Sequence, residues 1–415
     1  MKYTIFTAII ILVSSCHSKN NNWGFKEQNL NISDLTQLKT NLDYITTIQI
    51  PSNSWKKPPS EKYNLIDTIF AVKLETNRNN IIGHIDDIKI YKNRIYVLDK
   101  RVAKIIYAFD LNGKFINSVG KKGKGPGEYL HPEGIEIDKI NNELIVVSVA
   151  NRKFLRFDLD GKFLGEFDIE VAFKDFKILN NGNFVLLAGD ELNSHLGEDL
   201  SKRIVYITDN RGKIIGFGPK SCTDFENVKI QRAANLMVQN NEISFCYKFS
   251  DTIFQVNNHE IRAKYKIDLG SFALDREKLK NKNTQDFIST LNKINSNPEI
   301  LFSGNHFQTN DYLFFSIDVD RSPLAFFYNK NNKKLFIGMI NPYNPYYLFD
   351  GKVVSSYKDY FIGYRDSYSI LSEVEQIKKN NPSQLNLLFK NMGLNKEFDL
   401  SESDNPVLFF YKLKK

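Results

Sequence analysis

One ten-residue pattern returns along this chain at spacings of 48 and 51 residues, and a chain with such a period folds as an array of like units instead of one irregular core. Ile106-Tyr107-Ala108-Phe109-Asp110-Leu111-Asn112-Gly113-Lys114-Phe115 recurs as Leu155-Arg156-Phe157-Asp158-Leu159-Asp160-Gly161-Lys162-Phe163, and more loosely as Val205-Tyr206-Ile207-Thr208-Asp209-Asn210-Arg211-Gly212-Lys213-Ile214. Each copy reads as a strand, a tight Asn-Gly, Asp-Gly or Arg-Gly turn and a second strand, because glycine supplies the positive φ such turns require. Ahead of the first copy lie Ile88-Lys89-Ile90-Tyr91 and Ile95-Tyr96-Val97-Leu98. Ahead of the second lie Ile135-Glu136-Ile137-Asp138 and Leu144-Ile145-Val146-Val147. Four short strands per repeat make the blade of a propeller.

Later repeats are degraded. A fourth runs from about Leu236 through Ile243-Ser244-Phe245 and Thr252 to Val256, turns at Asn257-Asn258, and ends with Ile261 to Ile267. A fifth joins Tyr312 to Ser316 with Leu324 to Tyr328, a turn at Asn331-Asn332 and Leu335 to Ile337. A sixth begins near Tyr347, turns at Asp350-Gly351, continues through Tyr360 to Tyr364 and ends at Val407 to Tyr411. Residues 271–300 and 369–395 break the pattern with apolar spacings near three and four, as in Leu371, Val374 and Ile377, and read as helical insertions. Without them, residues 64–415 hold about six repeats. The expectation is an all-β, six-bladed β-propeller with small helical insertions. Pairing Thr68 to Val72 with the last blade would close the ring and remove an exposed sheet edge.

Composition agrees. Aromatic residues make up 13% of the chain, with 32 Phe and 20 Tyr, which favours strands. The formal charge of +8 is dispersed apart from Lys121-Lys122-Gly123-Lys124 and the Lys412 to Lys415 tail, which argues against a nucleic-acid partner.

The N-terminus carries Lys2, the apolar run Ile5 to Val13, and Ser14-Ser15 directly before Cys16. These are the parts of a secretory signal with a lipobox, and the run is far below the roughly 20 residues needed to span a bilayer. The expected organisation is a signal peptide over 1–15, a tether and N-terminal arm over 16–62, and the propeller over 63–415. Acylation of Cys16 would hold the protein to a membrane, since each buried methylene contributes about 0.8 kcal/mol. Cys222 and Cys246 then remain, either as a disulfide or as two buried thiols; the strand-like surroundings of Cys246 favour the thiols.

With Lys124-Gly125-Pro126-Gly127-Glu128-Tyr129 after the first hairpin and Asn405-Pro406-Val407 near the end, the chain resembles the six-bladed β-propeller lipoproteins of Bacteroidetes, related to NHL-repeat propellers. The resemblance covers most of residues 64–415. It implies a lipidated protein of the cell envelope, attached to the outer membrane, sometimes near systems for glycan or peptide uptake. It implies no agreed catalytic residues. Surface-displayed members usually carry acidic residues after the cysteine, whereas His17-Ser18-Lys19 follows here, so a periplasm-facing anchor stays open.

For chemistry, the glycine-rich loop at 123–127 lacks the Gly-Lys-Ser/Thr ending of a phosphate cradle and opens no helix, so it reads as a turn between blades. There is no Gly-x-Ser-x-Gly elbow. His84 and His131 share one phase, four residues before Ile88 and Ile135, which places both at one mouth of the central channel. Asp86, Glu133 and His306 could complete a site for a divalent metal there, giving a lactonase-like hydrolase or lyase, as in related NHL-like enzymes. Against this, the third repeat offers Ala172 at the matching position. The set is incomplete, no cofactor is assigned, and the leading expectation is a non-catalytic module binding a glycan, a peptide or an envelope protein.

Overall fold

Runs such as Ile95-Tyr96-Val97-Leu98 and Leu144-Ile145-Val146-Val147 give strands with two apolar faces, because successive side chains point to opposite sides of a sheet. Sheets built from them need cover on both faces. The computed structural model describes residues 24–43, 45–51, 65–188, 193–221, 236–247, 250–270, 273, 277, 280–293, 300–319, 322–338, 353–383, 385, 389 and 399–415, and in it the cover comes from the neighbouring sheet.

Six sheets follow one another as the blades of a propeller. Blade 1 is Asp87–Tyr91, Arg94–Asp99, Ile105–Asp110 and Phe115–Val119; blade 2 is Gly134–Asp138, Glu143–Ser148, Lys153–Asp158 and Phe163–Asp168. Blade 3 is Asp175–Ile178, Phe184–Leu187, Val205–Thr208 and Ile214–Phe217; blade 4 is Met237–Gln239, Glu242–Cys246, Thr252–Val256 and Glu260–Asp268. Blade 5 is Ile300–Gln308, Tyr312–Val319, Ser322–Asn329 and Leu335–Gly338. Blade 6 is Ser355–Tyr357, Tyr360–Arg365 and Val407–Leu413, with Ile66–Lys73 as its outermost strand. Within each blade consecutive strands pair antiparallel. The apolar residues form six clusters, one between each pair of neighbouring blades. Alternation distributes them: Ile95 and Val97 pack toward blade 6, Tyr96 and Leu98 toward blade 2.

The recurring Asp-x-x-Gly turn locks blade to blade. Asp110 Oδ1 accepts the backbone N–H of Asn112 at 2.8 Å and of Lys114 at 2.9 Å, and Asp158 and Asp209 repeat this on their own turns. Asn257 and Asn329 hold the corresponding turns of blades 4 and 5 through the same side-chain oxygen, each accepting the second and third N–H groups onward instead of the second and fourth, which is why those repeats look degraded. Gly113 has φ +84°, and a Cβ there would lie 2.0 Å from the carbonyl oxygen of Lys73 in blade 6. At Gly212 it would lie 2.6 Å from that of Asp168 in blade 2. The glycine therefore serves both the turn and its close approach to the preceding blade.

Closure is sealed by Asn405, which is buried. Its Oδ1 accepts the N–H of Ile82 at 2.8 Å; its Nδ2 donates to the carbonyls of Glu75 and Asn80, each at 2.8 Å; its own N–H reaches Thr76 Oγ1 at 2.7 Å. One side chain thus joins blade 6 to the segment that leads into blade 1.

The arm before the propeller is not loose where it is described. Thr36–Gln37 pairs parallel with the outer strand of blade 3, and Lys39–Asn41 and Thr46–Gln49 pair parallel with that of blade 4, burying Leu38, Ile48 and Ile50. Helices α1 (Thr284–Lys293) and α2 (Ser367–Asn380) lie in the two expected insertions. The buried stripe of α2 runs through Ile370 and Val374 with Ile377 packed against the same core, so Val374 and Ile377 lie on the expected face and Ile370 takes the place of Leu371. Asp366 caps it by accepting the N–H of Ser369 at 2.8 Å. Two further differences concern blades 5 and 6. Ile300–Gln308 is an inner strand at the end of the first insertion. The inner hairpin of blade 6 turns at Lys358-Asp359, whereas Asp350-Gly351 lies outside the described residues.

Replacing Asn405 by Ala removes its side-chain hydrogen bonds to Ile82, Glu75 and Asn80 at the seam and leaves buried backbone groups unpaired. We expect a loss of about 3 kcal/mol in urea unfolding, with the two-state transition retained.

Candidate functional site

The innermost strands of the six blades run alike around one axis and enclose a channel of about 1010 Å³. In blade 1, Ile88 turns into the apolar cluster shared with blade 6, so period-two alternation directs Asp87 and Lys89 to the other face, at the channel edge. Glu136 in blade 2, and Asp175 and Lys177 in blade 3, also line the channel.

These five side chains form one chain of alternating charge. Lys89 Nζ lies 3.1 Å from Asp87 and 3.2 Å from Glu136 Oε2; Lys177 Nζ lies 3.2 Å from the same Glu136 oxygen and 3.1 Å from Asp175. Backbone groups fix the carboxylates. Asp87 accepts the N–H of Ile88, Glu136 that of Ile137, and Asp175 those of Phe176 and, across to blade 4, Leu236 at 2.7 Å. Lys177 also donates to the carbonyl of Phe176 at 2.9 Å.

The setting shifts three of these groups from their ordinary values. Burial raises the Asp87 pKa, opposed by Lys89 and Lys177. Burial also works against the Glu136 carboxylate, but the two ammonium groups outweigh it and hold its pKa below the ordinary value. Burial disfavours the Lys89 ammonium, yet the surrounding carboxylates, Asp87 first, hold its pKa above the usual range. Across the channel the lining is mostly uncharged, with Met237, Val238, Gln239, Phe307, Ser355 and Ser356, and Lys358 stands at the turn of blade 6.

The histidine set disperses. Asp86 and Glu133 line the channel at the end where the inner strands begin. His84 sits beside Asp86, Nδ1 to Oδ1 3.4 Å, and edge-on to Tyr364, while Arg101 Nε holds the same carboxylate oxygen at 2.7 Å. His131 is half-buried. His306, expected at the mouth, is instead fully buried on the inner strand of blade 5. Its Nδ1 donates to the carbonyl of Gly304 at 3.0 Å and its Nε2 accepts from Ser244 Oγ at 2.9 Å, whose oxygen accepts in turn from Gln308. Burial pulls its pKa down to about 4, so it is a neutral structural group. Among the described residues no three His, Cys, Asp or Glu side chains gather as a metal site. Cys246 is buried in blade 4; Cys16 and Cys222 lie outside the described residues. The glycine-rich loop folds on itself, with Glu128 accepting the N–H of Gly125 at 2.9 Å.

Sequence reasoning passed over the charged belt. Its signal was there: Asp-Ile-Lys, Gly-Ile-Glu and Asp-Phe-Lys occupy the same register of three successive inner strands.

Six like blades around a charge-lined axis define a six-bladed β-propeller. Residues 45–412 match the model of a domain of unknown function, DUF4934, and the chain belongs to that family. The "Putative exported protein" of Bacteroides fragilis is similar in structure, with a TM-score of 0.68 at 19% identity over 92% of this chain and 100% of that one. Lower similarity extends to a member of the DUF4221 family from Bacteroides vulgatus, with a TM-score of 0.49 at 12% identity over 84% and 97% of the two chains. It extends further to a virginiamycin B lyase of Staphylococcus aureus, at 0.39 and 10% over 83% and 99%. Those two likenesses are too distant to bear on function. No curated protein matches the chain in sequence.

Replacing Lys177 by Met takes one ammonium partner from Glu136, which keeps Lys89, and the ammonium partner from the partly buried Asp175, and should cost about 1–3 kcal/mol in urea unfolding. Adding Glu136→Met should restore part of that loss, because the remaining belt then lacks only matched charges.

Proposed function

We propose that the protein is a lipid-anchored envelope protein whose propeller is a binding module, with the central channel as its recognition site. The observation that carries this reading is the belt itself: three acidic and two basic side chains linked in an open channel where apolar side chains would pack at lower desolvation cost. Polar groups converging on a concave cavity are the usual mark of a ligand site. The rigid ring presents them without rearrangement on binding, which lowers the entropic cost of association.

The envelope assignment rests on the Lys2, Ile5 to Val13 and Ser14-Ser15-Cys16 series, and the Bacteroides fragilis neighbour carries a description as exported. Among the described residues no helix is long and apolar enough to cross a membrane, so attachment would depend on Cys16. The ligand would be a glycan, a peptide or part of an envelope protein met within reach of the tether.

Two experiments test this. Cys16→Ala should move the protein from the membrane fraction to the soluble fraction; retention in the membrane would refute the anchor. Ser356→Trp, which places bulk inside the channel, should abolish retention of small molecules from an envelope extract, read by mass spectrometry of what co-purifies. Unchanged retention would remove the channel as the site.

A further inference from the structure

We propose that the channel takes a neutral, hydroxyl-rich ligand, a short oligosaccharide, held at the Asp87–Lys89 end of the charged belt. This rests on the channel being the recognition site and adds the class of ligand.

Charge balance is the first ground. The chain as a whole carries +8, but the channel lining contains six carboxylates and six lysine ammonium groups. With equal numbers of acids and bases the lining has no net charge to favour a ligand of either sign, and a charged ligand would still bear the cost of desolvating its own charge. A neutral polar ligand avoids it.

Which groups are still open is the second ground. Lys177 places its three N–H donors on Asp175, Glu136 and the carbonyl of Phe176, and both oxygens of Asp175 are engaged. Lys89 has two partners for three donors, and Asp87 has the most exposed side chain of the belt, at 30%. Asp87 has each oxygen engaged once, by the Ile88 N–H and by Lys89, so its partly exposed carboxylate keeps spare lone pairs beside the third Lys89 donor, the paired atoms 3.1 Å apart. Neighbouring ring hydroxyls, each able to give and accept a hydrogen bond, complement that pair.

The opposite wall is the third. Ser356 and Gln239 offer uncharged hydrogen-bonding groups, and Met237 offers apolar surface for the C–H face of a sugar ring. Tyr357 at the far end adds an aromatic ring with a polar tip.

The test is titration calorimetry of the full chain in detergent with maltose, cellobiose, chitobiose and mannobiose, against digalacturonate and alanyl-alanine. At least one neutral disaccharide should bind, and Asp87→Asn and Lys89→Met should each weaken it by on the order of tenfold. Asp87→Asn keeps the shape and the acceptor for the Ile88 N–H, so an unchanged melting temperature in that variant separates lost binding from lost folding. Lys89-dependent binding of digalacturonate or the dipeptide alone would overturn the ligand class while leaving the channel as the site. Binding of a neutral sugar that survives both Asp87→Asn and Ser356→Trp would place it elsewhere and overturn both readings; no binding of any probe would overturn the ligand class.

Discussion

A row of sheets that cover one another always leaves two apolar faces bare, one at each end, and the whole architecture depends on bringing those ends together. Here the join is a composite blade: residues 66–73 supply the outer strand of a sheet whose other three strands come from 355–413. The apolar cluster between blades 6 and 1, with Val97, Phe109, Ile362 and Leu408, exists only because that join is made. Asn405 holds it by satisfying backbone groups of residues 75–82 that would otherwise be buried without partners.

At the centre the ring meets a different constraint. Inner strands converge on the axis from six directions, leaving space that side chains only partly fill. Blades 1 to 3 meet it with linked charges, blades 4 to 6 mostly with neutral groups. Such a belt is weak evidence for stability, since the attraction between its members largely offsets their desolvation. What it does secure is position: each carboxylate is also tied to the backbone, and Asp175 reaches the next blade through Leu236. The two halves of the channel thus present fixed and dissimilar surfaces.

Much of this architecture was legible because the Asp-x-x-Gly turn repeats for a reason that acts on each residue of the motif. The aspartate oxygen holds two backbone N–H groups, and the glycine fits both its own φ and the neighbouring blade. Legibility faded where other residues meet the same need, as with Asn257 and Asn329. The inner strand of blade 5 escaped notice because its pairing register shifts between Phe302 and His306, around Gly304 at φ +83°, so no simple alternation marks it. The belt was hidden for the opposite reason. Lysine and acid alternating with Ile or Phe is also the pattern of a strand with a solvated face, and only the assembled ring turns that face toward an axis. The histidines, which stand out in a sequence by rarity, proved to have dissimilar surroundings: His84 beside Asp86 near one mouth, His306 sealed in the wall.

The composite blade also sets an order of events in time. Strand 66–73 is made early and has its antiparallel partner in 407–413, more than three hundred residues later. Contacts so distant in sequence are slow to form. Until the late segment arrives, blade 1 keeps one apolar face uncovered and the early strand keeps its edge unpaired, and both invite association with other chains. The hazardous species in the life of this protein is therefore the open row of blades, and how long it survives depends on how quickly the last strand finds the first.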